Sequence, residues 1–404
     1  MQVEERAAAR PSRAWEVLAV FSKLGVTSFG GPIAHLGYFR NEIVQRRRWI
    51  DDQGYTDLVA LCQFLPGPAS SEVAMALGVV RAGPVGGLLA WLGFTMPSAV
   101  AMIAFALLVG ASPPTASPLA GAIHGLKLIA VAVVAQAVWG MARSLTPDRP
   151  RATIAVLAAV VSALWQVAFV QVAIIAAAAL VGWRVLPAAA PAASSPRPPA
   201  LGRGTGTVAL AVFFALLVAL PALRAITGDP ALAVVDAFYR TGALVFGGGH
   251  VVLPLLQAEV VPPGWVSADQ FLAGYGAAQA VPGPLFTFAA YLGAARGVAP
   301  NGIAGGMLAL VAIFLPAALL VYGALPFWDA WRARPGLRSA LNGVNAAVVG
   351  ILLAALYTPV ITSAVLTPLD AAVALIAFLL LAVWEVPAWL VVLATAAAAA
   401  LYSR

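Results

Sequence analysis

The chain has 404 residues, of which 62% are hydrophobic and only 10% charged, with 23 Lys and Arg against 16 Asp and Glu. Soluble domains carry about 25% charged residues. A mean hydropathy of +0.93 and apolar runs of about 20 residues from end to end define a polytopic α-helical membrane protein. Cys62 is the single cysteine and there are three histidines, which excludes an intrachain disulfide, a CxxC redox pair and a thiolate metal site. No metal and no cofactor is expected.

The net charge of +7 suits an anionic inner leaflet or the handling of anions. Nucleic acid is not an expected partner, because the basic residues are scattered through short loops. Residues 2–13 are polar and run straight into an apolar segment, so no cleaved signal peptide and no separate soluble domain are expected.

In chain order, the first apolar segment covers residues 15–36. It is preceded by Arg6, Arg10 and Arg13 and followed by Arg40, Arg46, Arg47 and Arg48. Basic short loops stay cytoplasmic, so this segment is expected to dip in and return, turning at Gly30-Gly31-Pro32. Residues 55–80 carry Pro66-Gly67-Pro68 at their middle and return to Arg81. They read as a second hairpin, with a helix restarting at or after Pro68. Residues 84–110 can span; 111–118 are uncharged and placed outside. Residues 119–141 return to a loop holding Arg143, Arg149 and Arg151. Short helices over 152–164 and 167–186 lead to a cytoplasmic Pro/Ala/Ser-rich linker, 187–206. Residues 207–230 hold an unpaired linking helix.

The remainder, 231–404, repeats the first half, 1–186. Lys23…Phe29-Gly30-Gly31-Pro32 recurs as Arg240…Phe246-Gly247-Gly248-Gly249, at an offset of 217. Gln63-Phe64-Leu65-Pro66-Gly67-Pro68 recurs as Gln279-Ala280-Val281-Pro282-Gly283-Pro284, at an offset of 216. Glu42 and Glu259 correspond, as do Trp49 and Trp265, and Arg81 and Arg296 recur at hairpin ends. Loop charge reverses between the halves: residues 259–269 hold no Lys or Arg where the first half is Arg-rich. The expected fold is all-α, with two inverted-topology homologous halves, broken or re-entrant helices and about 13 membrane segments, N-terminus inside and C-terminus outside. Broken apolar segments at matching places in two halves point to a transport site.

Charge inside a membrane segment is costly, about 2.5–3.5 kcal/mol at a helix centre. Lys23 and Arg240 stand six residues before the Phe-Gly-Gly break in each copy. Lys127 lies within the third unit, one turn after His124; with Gly125 aligned to Gly343, their counterparts are Asn345 and Asn342. One reading is an anion site. Lys23, Arg240 and Lys127 supply charge, with His124 and Asn345 beside them. The helix starts after Gly30, Gly31, Gly247 and Gly248 supply N–H groups. Gln63, Gln279, Ser70, Ser71, Thr27 and Thr287 supply further donors. Pro32, Pro66, Pro68, Pro282 and Pro284 are the structural breaks. The other reading is that Lys23 and Arg240 snorkel to the interface. Glu72, Glu42, Glu259, His35 and His250 are candidates for coupling. For the acids the alternative is helix capping or ion pairing, with Glu42 reaching Arg46 at i,i+4. For the histidines it is simple burial.

Phe29-Gly30-Gly31-Pro32…His35-Leu36-Gly37…Arg40…Arg47-Arg48-Trp49, then Gln63 to Ser70, resembles the chromate transporter (CHR) family in its long-chain two-domain form. Phe246 to His250, Leu253-Pro254 and Pro282-Gly283-Pro284 resemble that family's second domain. The resemblance covers nearly the whole chain. It implies a multi-pass bacterial inner-membrane protein with antiparallel halves that exports chromate and confers chromate resistance, with sulfate as the structural analogue. Three other readings stay open at this point: a sulfate or other oxyanion transporter, a passive anion channel of the same architecture, and, least supported, a membrane reductase. The expected partners are the oxyanion and the lipid bilayer, and a homodimer is compatible with the sequence.

Overall fold

The computed structural model describes residues 13–111, 118–165, 168–187, 201–246, 249–332 and 334–402. All regular structure among them is helical. The first half runs α1 (Arg13–Thr27), α2 (Gly31–Phe39), α3 (Asp52–Phe64), α4 (Ala69–Ala111), α5 (Pro118–Leu145), α6 (Arg149–Leu164) and α7 (Ala168–Val185). The linking helix α8 (Arg203–Thr227) follows. The second half runs α9 (Pro230–Leu244), α10 (Val252–Val260), α11 (Ala268–Ala278), α12 (Phe288–Ala295), α13 (Gly302–Ala324), α14 (Trp328–Arg332), α15 (Pro335–Ala355), α16 (Thr362–Ala364), α17 (Pro368–Ala382) and α18 (Ala388–Tyr402).

The breaks fall where Gly and Pro forbid helix. α1 ends at Thr27 and α2 begins at Gly31, with Gly30 at φ +98° and Gly31 at φ +78°, a region L-residues avoid. α3 ends at Phe64 and α4 begins at Ala69, one residue after Pro68. α4 is itself interrupted at Ala82 and Gly83, whose backbone is not helical. Helix starts are set by side-chain caps: Asp51 accepts from the Gly54 N–H, Asp229 from Ala231 and Leu232, and Ser267 and Gln270 form a capping box.

Five helices among the described residues are long and apolar enough to cross a bilayer: Ala69–Gly110, Ala120–Leu145, Arg203–Thr227, Gly302–Phe327 and Gly336–Ala364. Shorter apolar helices are Phe169–Val185, Leu285–Ala295, Pro368–Ala382 and Ala388–Leu401. The Gly and Pro breaks cut several apolar runs into half-length helices.

The halves are interlocked. α5 packs along α17 and α18 of the second half, while α15 packs along α6 and α7 of the first. Small residues permit this close approach. Gly125 abuts the backbone of Thr395 and Ala396, Gly343 that of Ala178 and Gly182, and Gly350 that of Ala155. Within each half the packing also recurs: α1 lies on α4 and α9 on α13, with Gly25 against the Gly93 and Phe94 carbonyls and Gly242 against the Ile313 carbonyl. Association between helices in lipid rests on such backbone proximity.

Candidate functional site

The four breaks meet pairwise across the two halves. The Gly67 N–H donates to the Val245 carbonyl at 2.7 Å, and the Gly283 N–H donates to the Ser28 carbonyl at 2.9 Å. Val245 stands where Ser28 stands in the other copy, and Gly283 where Gly67 stands. Each Pro-Gly-Pro break thus holds the last residues before the other half's Phe-Gly-Gly break. Gly67 (φ +145°) and Gly283 (φ +98°) adopt backbone that other residues rarely take. A side chain on Gly67 would run into Glu72 and Ala317; one on Gly283 would meet the Ser98 hydroxyl.

The first-half side of this crossing is polar. Ser28, His35, Ser70, Ser71, Glu72, Thr95 and Ser98 are all 3% exposed or less. Ser70 and Ser71 lie in the first turn of α4, and Thr95 and Ser98 flank Pro97 further along it. His35 Nδ1 is 3.3 Å from Ser70 Oγ, and the Ser98 hydroxyl donates to the Thr95 carbonyl at 3.0 Å. The hydroxyls of Ser28, Ser71 and Thr95, His35 Nε2, Gln279 Nε2 and both Glu72 carboxyl oxygens have no protein partner among the described residues. Buried polar atoms are normally satisfied, so this many orphans in one place mark a site for something polar.

The second-half side is apolar at the same positions. In register, Ser28 becomes Val245, His35 becomes Val252, Ser70 becomes Phe286 and Glu72 becomes Phe288; with Pro97 aligned to Pro316, Thr95 becomes Phe314 and Ser98 Ala317. Phe286 packs on Phe314 at 5.8 Å between ring centroids, and Phe288 on Phe271 and Tyr275 at 5.1 and 5.7 Å. Thr287, the counterpart of Ser71, has its hydroxyl donated to the Pro284 carbonyl at 2.9 Å. The break contacts recur in both copies, and the chemistry around them is one-sided.

The cations singled out from the sequence already hold carboxylates. Lys23 pairs with Glu42 at 3.4 Å and Arg240 with Glu259 at 3.1 Å, the same contact in both copies. Glu42 also receives Arg46 and Arg47, at 3.3 and 2.7 Å. Arg240 also reaches Asp236 at 3.0 Å, which Arg224 meets at 3.1 Å. Arg81 lies 5.2 Å over the Trp49 ring and Arg296 4.3 Å over the Trp265 ring, a second contact conserved between copies. Lys127 pairs with Asp269 at 2.9 Å and His124 with Asp370 at 2.7 Å, both across the halves. Asn345 is half-buried on α15.

Of the remaining candidates, Gln63 is exposed, the Thr27 hydroxyl donates to the Lys23 carbonyl at 2.8 Å, and His250 Nδ1 sits 2.7 Å from the Tyr275 hydroxyl. Gly247 and Gly248 lie outside the described residues. Sequence reasoning missed Ser28, Thr95 and Ser98. Ser28 was within reach, being adjacent to the Phe29-Gly30 break; the other two are marked only by Pro97. It also missed the acids Asp236, Asp269 and Asp370. Asp236 lies four residues before Arg240, a readable spacing; the other two meet their partners only through the interlock.

A separate cavity of about 840 Å³ lies between α4, α8 and α13, walled by side chains such as Leu88, Trp91, Val212, Phe314 and Leu319. Its wall is almost wholly apolar and brings no charged side chain to replace an anion's hydration. Among the described residues, no three His, Cys, Asp or Glu side chains form a group able to hold a metal ion.

Broken helices crossing inside a multi-pass bundle, with unpaired polar atoms at the crossing, are the arrangement of a membrane transporter's site. The chain belongs to the chromate transporter family, whose family model matches residues 15–183 and 232–401. It is 31% identical to the chromate transport protein of Pseudomonas aeruginosa over 83% of this chain and 79% of the relative. It is 26% identical to the chromate transport protein of Cupriavidus metallidurans, over 83% and 80%. An uncharacterized transporter of Methanocaldococcus jannaschii is 23% identical over 84% and 83%. No solved structure matches the chain.

Proposed function

We propose that this protein is a secondary transporter that exports chromate across the bacterial inner membrane and so confers chromate resistance. The observation that carries the proposal is the reciprocal crossing of the breaks, with its orphaned polar atoms mostly from the first half. A tetrahedral dianion gives up its hydration only where hydrogen bonds replace it. Ser28, Ser71 and His35 supply such bonds around the starts of α2 and α4, Thr95 supplies one from further along α4, and Gln279 one from the end of α11. The names of the Pseudomonas and Cupriavidus relatives support chromate as the cargo.

Lys23, Arg240 and Lys127 supply the positive charge that draws the anion in, each partly neutralised by its carboxylate. The two homologous halves, 1–186 and 231–404, are taken as inverted repeats that rock around the crossing. Outward movement of a dianion is favoured by an inside-negative potential, by about 2.3 kcal/mol per charge per 100 mV. Everted membrane vesicles should take up radiolabelled chromate when a potential is imposed, and sulfate should compete. Vesicles that move another anion but not chromate would keep the architecture and reject the cargo.

A further inference from the structure

The proposed site contains one group that an anion site should not contain. Glu72 is fully buried in the first turn of α4, next to Ser71. Its carboxyl is packed against Gly67 and near Ala317, and neither oxygen has a protein partner. No cation pairs with it among the described residues. The titratable and charged groups on the elements packed around this turn are few. α1 brings Glu16 and Lys23, held by Arg81 and Arg47 and by Glu42. α2 brings His35, on Ser70, and Tyr38. α3 brings the buried Cys62, Tyr55, whose hydroxyl donates to the Leu36 carbonyl, Asp52, paired with Arg40, and Asp57. α11 brings Tyr275, on His250, and Asp269, paired with Lys127. Tyr291 of α12 and Tyr322 of α13 donate their hydroxyls to the Gln270 and Pro84 carbonyls.

We propose that Glu72 carries one proton together with each oxyanion, so that one net negative charge moves per cycle instead of two. The inference rests on the oxyanion reading above. An ionised carboxylate in this turn repels a dianion, whereas a protonated carboxyl is an O–H donor that joins Ser28, Ser71 and Thr95. Proton and oxyanion therefore bind with positive and reciprocal linkage. The second half argues for a stoichiometry of one: Phe288 occupies the position of Glu72, so the repeat has no second carrier.

The test is chromate accumulation in everted vesicles at alkaline pH on both sides, where chromate is the dianion, with potassium and valinomycin holding the potential at zero. For the wild type, a pH difference of about one unit should move the steady-state ratio about tenfold toward the alkaline side. E72Q should lose this response in whatever flux it carries, and H250Q, whose ring is held by the Tyr275 hydroxyl outside the donor set, should keep it. Wild-type flux that ignores the pH gradient overturns the proposal, and so does a wild-type gradient response in E72Q. If E72Q does not reach the membrane or carries no flux, Glu72→Asp is read for the pH midpoint of flux. A shifted midpoint supports Glu72 as the carrier, and an unchanged one overturns it. Absence of chromate and sulfate flux from every wild-type vesicle overturns the transport reading itself, which is a different result from flux without a gradient response.

Discussion

Gly67 and Val245 belong to opposite halves of the chain, yet the Gly67 N–H binds the Val245 carbonyl at 2.7 Å. The bond has a twin between Gly283 and Ser28, so the crossing is held twice by backbone alone. It needs no particular side chain at Val245 or Ser28. That leaves these two positions free to differ, one apolar and one polar.

Glycine is required at position 67 for two reasons. Its φ of +145° is unsuited to other residues, and a Cβ would collide with Glu72 and Ala317. Gly67→Ala should destabilise the protein by more than the ~1–3 kcal/mol of backbone strain alone and abolish transport. At Gly31, φ is +78° but nothing lies within 4 Å of an added Cβ. Gly31→Ala should therefore cost only ~1–2 kcal/mol. Thermal unfolding of the two variants in detergent checks the difference; equal losses would contradict it.

The orphaned hydroxyls should matter for affinity and not for folding. Ser71→Ala and Thr95→Val each remove a donor to a charged ligand, worth ~1.5–3 kcal/mol, so chromate should bind ~10–100-fold more weakly. Unfolding midpoints should hold or rise, because an unsatisfied buried group is lost. Thr287→Val should leave chromate affinity unchanged, since that hydroxyl is engaged by Pro284. Equilibrium binding to purified protein reads all three.

The corresponding ion pairs should differ in strength. Lys23 keeps 52% of its side chain exposed, whereas Arg240 keeps 26%. A double-mutant cycle over Lys23 and Glu42 should give ~0–1 kcal/mol. The Arg240–Glu259 cycle should give more, within the ~0.5–3 kcal/mol range of contacting pairs. Lys23→Gln should slow chromate uptake, and adding Glu42→Gln should restore most of it, because the pair's net charge returns to its original value. No recovery in the double variant would make Lys23 a direct ligand.

The aromatic side of the crossing is expected to be structural. Phe288→Ala opens a cavity among Phe271, Tyr275 and Tyr291 and should cost ~3–5 kcal/mol. Protein that remains folded should bind chromate as the wild type does. A tenfold or larger loss of affinity without loss of stability would place the ligand in the second half.

The breaks and the pairing of the halves were legible in the chain, because Gly and Pro impose backbone geometry locally and the two copies repeat it in register. Glu42 with Glu259, and Trp49 with Trp265, were visible as matched positions; their partners, Lys23 with Arg240 and Arg81 with Arg296, were matched as well. That these positions bind one another was not visible, since 19 residues separate Lys23 from Glu42. The interlock was hidden for a stronger reason. Lys127 meets Asp269 and His124 meets Asp370 only because α5 packs against the other half, and no local rule encodes that. The one-sided chemistry was within reach: reading Ser70, Ser71 and Glu72 against Phe286, Thr287 and Phe288 requires only the offset of 216.

The most direct measurement is an electron-microscopy structure of the protein with chromate bound. The account predicts density for one tetrahedral anion at the crossing, within hydrogen-bond reach of Ser71, Thr95 and the Glu72 carboxyl, and none beside Phe288. Density at Lys23, Arg240 or Lys127 with the first-half crossing empty would contradict it.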